Sequence, residues 1–228
     1  MSFAKASKKK EDIEQSGGGK YINKSGVYPV NLIAPLVSVS NGGSTSVDMY
    51  VDHKGQKQVV YGNLRVTNNN GEPNAIGSKI FNQLVIIAGL DEVADPVEAT
   101  LPIGPKEADK DCEVLEDLAD IDVLMRVQME YSVWNGSIQE KKIIKGFYRA
   151  EDGATAEEIV NETEPGKGLE NDQKYVNNVT YNDNLTPEQV AEWIAAKRPS
   201  GTADGGGSGK AEKAGKKPTF GSKRFPKK

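Results

Sequence analysis

The sequence contains one cysteine and one histidine in 228 residues, and each scarcity excludes a class of site. A lone Cys112 rules out a disulfide within the chain and a zinc site built from several cysteines. A lone His53 argues against a histidine metal site or a histidine-dependent catalytic triad. Its polar surroundings, VDHKGQ, predict a surface turn. We therefore expect no metal and no other cofactor.

Long hydrophobic runs are also missing. No segment approaches the roughly 20 apolar residues that span a bilayer. The first ten residues, MSFAKASKKK, lack the apolar run of a signal peptide. We therefore expect a cytoplasmic protein with no membrane partner.

Charge is plentiful but segregated along the chain, whose formal net charge is -4. Residues 1–24 carry six lysines against three acids, and residues 201–228 carry eight cations against two acids. Residues 91–122, in contrast, carry twelve acids and two lysines. We predict a flexible basic arm over residues 1–20 and a disordered basic tail over residues 200–228. Both ends offer non-specific contacts to phosphates.

Alternating apolar residues predict β-strands over residues 27–40, 44–52 and 58–67. Two prolines, Pro29 and Pro35, interrupt the first run, so we expect a bulge or bend there. Helical spacing followed by Gly89 predicts a helix over residues 78–88. The acidic, proline-containing residues 91–120 predict a long excursion with one helical turn.

Residues 121–149, IDVLMRVQMEYSVWNGSIQEKKIIKGFYR, predict a long hairpin. Asn135-Gly136 is the expected turn, because both central residues of the favoured hairpin turn need positive φ. Uninterrupted pairing from that turn places Arg126 opposite Lys145. It also places Leu124 opposite Phe147, and Asp122 opposite Arg149. Facing cations destabilise a sheet, but beside an exposed aromatic they suit a nucleic-acid phosphate and base.

The predicted order is strand, strand, strand, helix, strand, strand, which is the order of the OB-fold. We predict a mainly β domain over residues 21–160: a five-stranded OB-fold barrel with a helix between strands 3 and 4. An antiparallel sandwich or an open sheet is the alternative. Residues 161–199 predict a polar linker with a C-terminal helix over residues 186–198, begun by Thr186-Pro187-Glu188-Gln189. Its apolar face docks on the barrel or binds a partner.

Aromatic and basic residues on the strand faces opposite the core form the candidate site. Aromatic planes stack on bases and cations hold phosphates, which are the two requirements of a single-strand binder. For each aromatic, the alternative is packing beneath the acidic loop or the C-terminal helix. The predicted nucleic-acid-binding residues are Tyr50, Tyr61, Arg65, Arg126, Trp134, Lys145, Phe147 and Arg149.

The chain resembles the OB-fold single-stranded-DNA-binding proteins encoded in phage replication and recombination cassettes. The resemblance rests on GVYPVNLIAP, STSVDMYV, QVVYGNLRV, GSKIFNQLVIIAGL and GFYRAEDGATAEE, and it covers about residues 21–160. It implies coating of single-stranded DNA without sequence preference, during phage DNA replication and recombination in the host cytoplasm. Many members end in an acidic tail that recruits partner enzymes. This chain ends in SKRFPKK, so that recruitment is not implied.

Two other functions stay open. One is a non-enzymatic β-domain that binds replication or recombination proteins, for example through helix 186–198. The other is a hydrolase or nuclease that uses the acids of residues 91–122 with a metal. The sequence has no phosphate-binding P-loop and no EF-hand loop. We therefore expect a protein that is not an enzyme.

Overall fold

Eight strands form one sheet with four short helices around it, within residues 19–197, the part of the chain that this computed structural model describes. The mainly β class is therefore confirmed. The predicted basic tail lies outside the described residues, as does the predicted basic arm before residue 19. The strands are β1 (Gly26–Val39), β2 (Thr45–His53), β3 (Gln56–Arg65), β4 (Val97–Leu101), β5 (Lys110–Val114), β6 (Ile121–Trp134), β7 (Ser137–Arg149) and β8 (Thr180–Tyr181). The helices are α1 (Gly77–Ile87), α2 (Ala156–Val160), α3 (Lys167–Gln173) and α4 (Pro187–Lys197).

Strand β1 is the centre of the sheet. It pairs with β2 along one edge, and with β6 and then β5 along the other. Strands β3, β4 and β7 extend these pairs outward, and every pair is antiparallel except β6 with β8. The register of β1 against β2 shifts between Leu32 and Ala34. The two prolines of β1 predicted such an irregularity.

The main core lies between the inner faces of these strands and helix α1. Helix α1 contributes Ile80, Leu84 and Val85 to this core. The helix begins one residue before the predicted start. Gly89, at φ 73°, follows its end as predicted.

Strands β3 and β7 lie side by side without pairing. A Cβ built on Gly62 would meet the Cδ1 atom of Ile144 at 2.6 Å, so the two chains approach closely at this point. Among the described residues, no hydrogen-bond ladder joins β3 to β7. The sheet is therefore not closed into a ring by backbone pairing.

The acidic segment contains two strands that the sequence analysis did not predict. Strands β4 and β5 form a hairpin whose apolar side chains, Ala99, Leu101 and Cys112, pack on the outer faces of β1 and β2. The acidic residues of these strands point mostly to solvent. Each strand has only five residues, but apolar and polar residues alternate in both, VEATL and KDCEV, so the signal was present in the sequence. The predicted excursion without strands was therefore wrong.

The predicted linker is also partly ordered, into α3 and β8, and α2 lies directly before it. Thr155 and Glu158 form a reciprocal capping box at the start of α2. The Glu158 carboxylate also accepts backbone N–H groups from Gly166 and Gly168, at 3.1 and 2.7 Å. One carboxylate thus joins the start of α2 to the start of α3.

Two further sequence predictions have clear outcomes. His53 is buried rather than on a surface turn, because its Nδ1 lies 2.8 Å from the Pro29 carbonyl and its ring packs against the edge of Tyr28. Helix α4 begins as predicted, since Thr186 and Gln189 cap it reciprocally. Within residues 19–197, no helix has the length and apolar character needed to cross a membrane.

Candidate nucleic-acid interface

The outer face of β3 displays two cations and a tyrosine in one line. Lys57, Tyr61 and Arg65 are exposed, while Val60 and Leu64 between them face the core. The register of β3 against β2 shifts between Val60 and Leu64, by an even number of residues, so the three side chains remain on one face. Tyr61 is 65% exposed. The prediction that Tyr61 and Arg65 lie opposite the core is confirmed.

Strand β3 itself places no negative charge beside these two cations, although Asp52 of β2 lies directly opposite Lys57. The sequence of β3, QKQVVYGNLR, contains no acidic residue. Within the described part of the chain, neither Lys57 nor Arg65 makes an ion pair. Both are therefore available to an anionic ligand.

A groove of about 580 Å³ lies beside this line, between β3 and the tip of the β4–β5 hairpin. Tyr61 and Lys57 line one wall, and Glu107 lines the hairpin wall. Tyr50 lines the groove but is only 4% exposed. Burial, followed by the charges of Glu107 and Asp52, raises the pKa of Tyr50.

The β6–β7 hairpin turns at Asn135-Gly136, as predicted. Both residues have positive φ, at 49° and 74°, and Trp134 pairs with Ser137. The register changes further along, because Arg126 pairs with Gly146 and Val127 pairs with Ile144. Lys145 is the extra residue of a β-bulge. The predicted opposition of Arg126 and Lys145 was therefore wrong.

The core explains this bulge. Ile144 and Phe147 are three residues apart, so strict alternation would send one of them outward. With the extra residue between them, both lie in the main core at 1% exposure. The bulge also places Tyr148 opposite Leu124, and Arg149 opposite Val123. Both pairings differ from the prediction by one residue.

Two of the predicted stacking residues, Phe147 and Tyr50, are not on an accessible face. Phe147 is a core residue because of the bulge. Tyr50 lies on the outer face of β2, as predicted, but the unpredicted β4–β5 hairpin covers that face. Neither ring offers a free plane to a base.

Two of the predicted phosphate ligands are already paired with carboxylates. Arg126 is mostly buried, and its Nη1 lies 2.7 Å from Oδ2 of Asp172 in α3. The Tyr148 hydroxyl donates to the same carboxylate at 2.5 Å. Burial, followed by this hydrogen bond, raises the pKa of Tyr148 to about 12. Arg149 makes two hydrogen bonds to Asp152, at 3.0 and 2.6 Å.

The remaining predicted residues, Lys145 and Trp134, are exposed on strand β7 and at the hairpin turn. Trp134 is 70% exposed. Ile144 lies against Gly62, where β7 approaches β3. Lys145 is the next residue along the chain and is therefore close to this point. Four of the eight predicted residues thus remain on open surface: Tyr61, Arg65, Trp134 and Lys145.

Helix α4 covers the base of the β6–β7 finger, which we define as residues 129–142. Val190 is buried against Met129 and Tyr131, and the Trp193 ring contacts the Tyr131 ring edge-on at 6.2 Å between centroids. The sequence offered docking or partner binding for this apolar face. Docking within the chain is confirmed, although the helix packs on the finger and not on the predicted barrel.

Lys57 was not among the predicted site residues. The third strand was expected from residue 58, which left Lys57 in the preceding turn. The strand begins at Gln56. Lys57 therefore belongs to the strand, and its alternation places it on the same face as Tyr61 and Arg65. That alternation was the available signal.

Among the residues that the structure describes, no group of three or more His, Cys, Asp and Glu side chains is arranged to hold a metal ion. Of the acids in β4 and β5, Glu98 and Glu113 are cross-strand neighbours, and Asp111 lies opposite Thr100. A comparison with known proteins finds no family model and no curated protein that matches this chain.

Proposed function

We propose that this chain binds single-stranded DNA without sequence preference, through the outer face of β3. The proposal rests on one observation. Lys57, Tyr61 and Arg65 are exposed on the same face of β3, a strand that contains no acidic residue. An exposed tyrosine offers a plane to any base, because every base has a π-face. Lysine and arginine on either side supply phosphate contacts.

The order of the strands supports placing the fold in the OB class. Strands β1 to β3 form a meander, helix α1 follows, and the β6–β7 hairpin returns to pair with β1. In that reading, β3 and β7 are the two strands that would close the barrel, and the β4–β5 hairpin is an insertion. Ligands of OB-folds bind on the face of the second and third strands and to neighbouring loops, where the candidate groove lies.

Charge supports a specific path for the backbone. Glu107 lines the hairpin wall of the groove, so phosphates would follow Lys57 and Arg65 along β3 and avoid that wall. Lys145, beside the meeting point with β7, would continue the path toward the finger. Trp134 and Lys141 are exposed there and would provide a further stacking plane and cation.

Single strands are the favoured ligand for a physical reason. Bases within a duplex are already stacked on each other and do not present their faces to Tyr61. Stacking on an aromatic side chain contributes about 1–3 kcal/mol per base. A duplex would gain only the phosphate contacts. The biological setting implied by the resemblance, phage DNA replication and recombination without catalysis, is part of this proposal.

The proposal is tested by titrating the full chain with oligo-dT and with a duplex of equal length at several salt concentrations. We expect preferential binding of oligo-dT and affinity that falls steeply with salt. Equal affinity for the duplex, or no binding of oligo-dT at low salt, would contradict the proposal.

Tryptophan emission locates the path within the same titration. Trp134 is at the open turn, whereas Trp193 packs against Tyr131 with the Lys197 ammonium 4.4 Å from its ring centroid. Quenching by oligo-dT should disappear in Trp134→Phe and persist in Trp193→Phe. The reverse result would remove the finger from the path.

The alternative function is a β-domain that binds replication proteins through the C-terminal helix. The surface suggested for that binding is already covered. The apolar face of α4 is occupied by the finger. That alternative would require another surface.

A further inference from the structure

A second aromatic and basic groove lies around the β2–β3 turn, next to the proposed interface. Its volume is about 260 Å³, and Tyr21, Tyr28, Lys24 and Lys54 line it. The turn itself consists of Lys54 and Gly55, both at positive φ. Lys54 lines this groove, and Gly55 lines the larger groove beside β3. The two grooves therefore meet at one turn.

The segment that carries Tyr21 is fixed to β3 by a single side chain. The Gln58 side-chain carbonyl accepts the backbone N–H of Ile22 at 3.0 Å. The Gln58 side-chain amide donates to the backbone carbonyl of Lys20, also at 3.0 Å. Ile22 is fully buried in the main core. These anchors hold the residues on both sides of Tyr21.

Tyr21 itself is presented outward from this anchored segment. Its side chain is 59% exposed. A fixed backbone with an exposed ring needs little ordering when a base stacks on it, which reduces the entropic cost of binding. Tyr28 is held more firmly, because its hydroxyl donates to the Lys24 carbonyl at 2.8 Å and its ring packs against His53.

The charge of this groove also favours a nucleotide. No carboxylate is among the described residues that line it. Neither Lys24 nor Lys54 makes an ion pair within residues 19–197. The nearest turn carboxylate, on Asp52, accepts the backbone N–H of Gly55 at 2.8 Å. A phosphate would meet two free cations here.

We propose that the groove of Tyr21, Lys24 and Lys54 is a second nucleotide subsite, in which a base stacks on Tyr21 and the two lysines contact phosphate. The subsite rests on the proposed single-strand function. The bound DNA would run from Tyr61 past Lys57 and across the β2–β3 turn. Gln58 is the positioning residue, because it fixes the backbone on both sides of Tyr21.

The test measures the affinity of the full chain for oligo-dT of about 16 nucleotides, the upper site size of one OB-fold. Tyr21→Ala should weaken binding about fivefold or more. Tyr21→Phe keeps the ring and should bind like the wild type. Tyr175→Ala, which removes another exposed tyrosine next to Lys174, is the matched control and should change nothing.

Photochemical crosslinking to oligonucleotides with halogenated uracil gives an independent readout. Mapping the crosslinked peptides should identify Tyr21. If Tyr21→Ala binds like the wild type and Tyr21 is absent from the crosslinks, while Tyr61→Ala weakens binding, the second subsite is wrong and the proposed function stands. If the wild type fails to bind oligo-dT at low salt, the proposed function fails, and the subsite fails with it.

Discussion

Ile144 packs directly over Gly62, and this contact brings strands β7 and β3 together where no backbone ladder joins them. A Cβ on Gly62 would lie 2.6 Å from Cδ1 and 2.7 Å from Cγ1 of Ile144. Ile144 is buried in the main core, so its side chain has little room to move away. The missing side chain at position 62 therefore permits this close contact between the two strands.

Gly62→Ala should lower the free energy of unfolding by about 1–3 kcal/mol, because the added methyl overpacks the contact with Ile144. Ile144→Val alone should cost about 0.5–1.5 kcal/mol through the lost methyl. The double variant should be more stable than the sum of the two changes predicts, since valine lacks Cδ1, one of the two atoms that the added methyl would meet, while the contact with Cγ1 remains. Denaturant unfolding of all four proteins measures this coupling, and strict additivity would mean that the contact is not as close as described.

Arg126→Ala should lower stability without changing affinity for single-stranded DNA. The change removes the 2.7 Å ion pair with Asp172 and should cost about 1–2 kcal/mol, at the low end for a charged hydrogen bond because Asp172 is partly exposed. Arg149→Ala, which breaks the more exposed pair with Asp152, should cost less. Weaker DNA binding by Arg126→Ala, with unchanged stability, would show that Arg126 contacts the ligand.

Stability should fall between about pH 10 and pH 12. The pKa of Tyr148 is raised from 10.0 to about 12 by burial and its hydrogen bond to Asp172. In that range the folded protein keeps a proton that the unfolded chain has lost, so its contribution is complete below pH 10 and is lost as pH rises through 12. Tyr148→Phe should show a shallower decline in denaturant unfolding across this range. Tyr61→Phe, a change at an exposed ring, should decline like the wild type, and an equal decline in Tyr148→Phe would remove Tyr148 as the cause.

Lys145→Ala should weaken binding of oligo-dT and flatten its salt dependence. Each phosphate contact to single-stranded DNA contributes about 0.7 to the slope of log affinity against log salt. Lys167→Ala is the matched control, since Lys167 is an exposed lysine of α3 that already pairs with Glu164 at 2.5 Å. An unchanged slope in Lys145→Ala would show that the bound DNA does not extend beyond β3 to Lys145.

Local chemistry allowed the sequence to predict several elements correctly. The Asn135-Gly136 turn, the Thr186 cap of α4 and the Gly89 stop of α1 each depend on residues within one turn of chain. The exposed positions of Tyr61 and Arg65 follow from alternation in β3. The position of Lys57 and the Thr155–Glu158 capping box follow the same local rules. Both could have been predicted from the sequence.

The errors came from contacts between distant parts of the chain. The bulge at Lys145 exists because Ile144 and Phe147 both enter the core, which the hairpin sequence alone does not reveal. Tyr50 is covered by β4 and β5, and Arg126 is paired by α3, which is far along the chain. Exposure of a strand face depends on what packs over it, and alternation does not contain that information.

The central claim is that a base stacks on Tyr61. The most direct measurement is the affinity of Tyr61→Ala for oligo-dT at fixed low salt, beside Tyr61→Phe and the control Tyr175→Ala. We expect about fivefold or greater weakening for Tyr61→Ala, with the other two variants binding like the wild type. Wild-type affinity in Tyr61→Ala would contradict it.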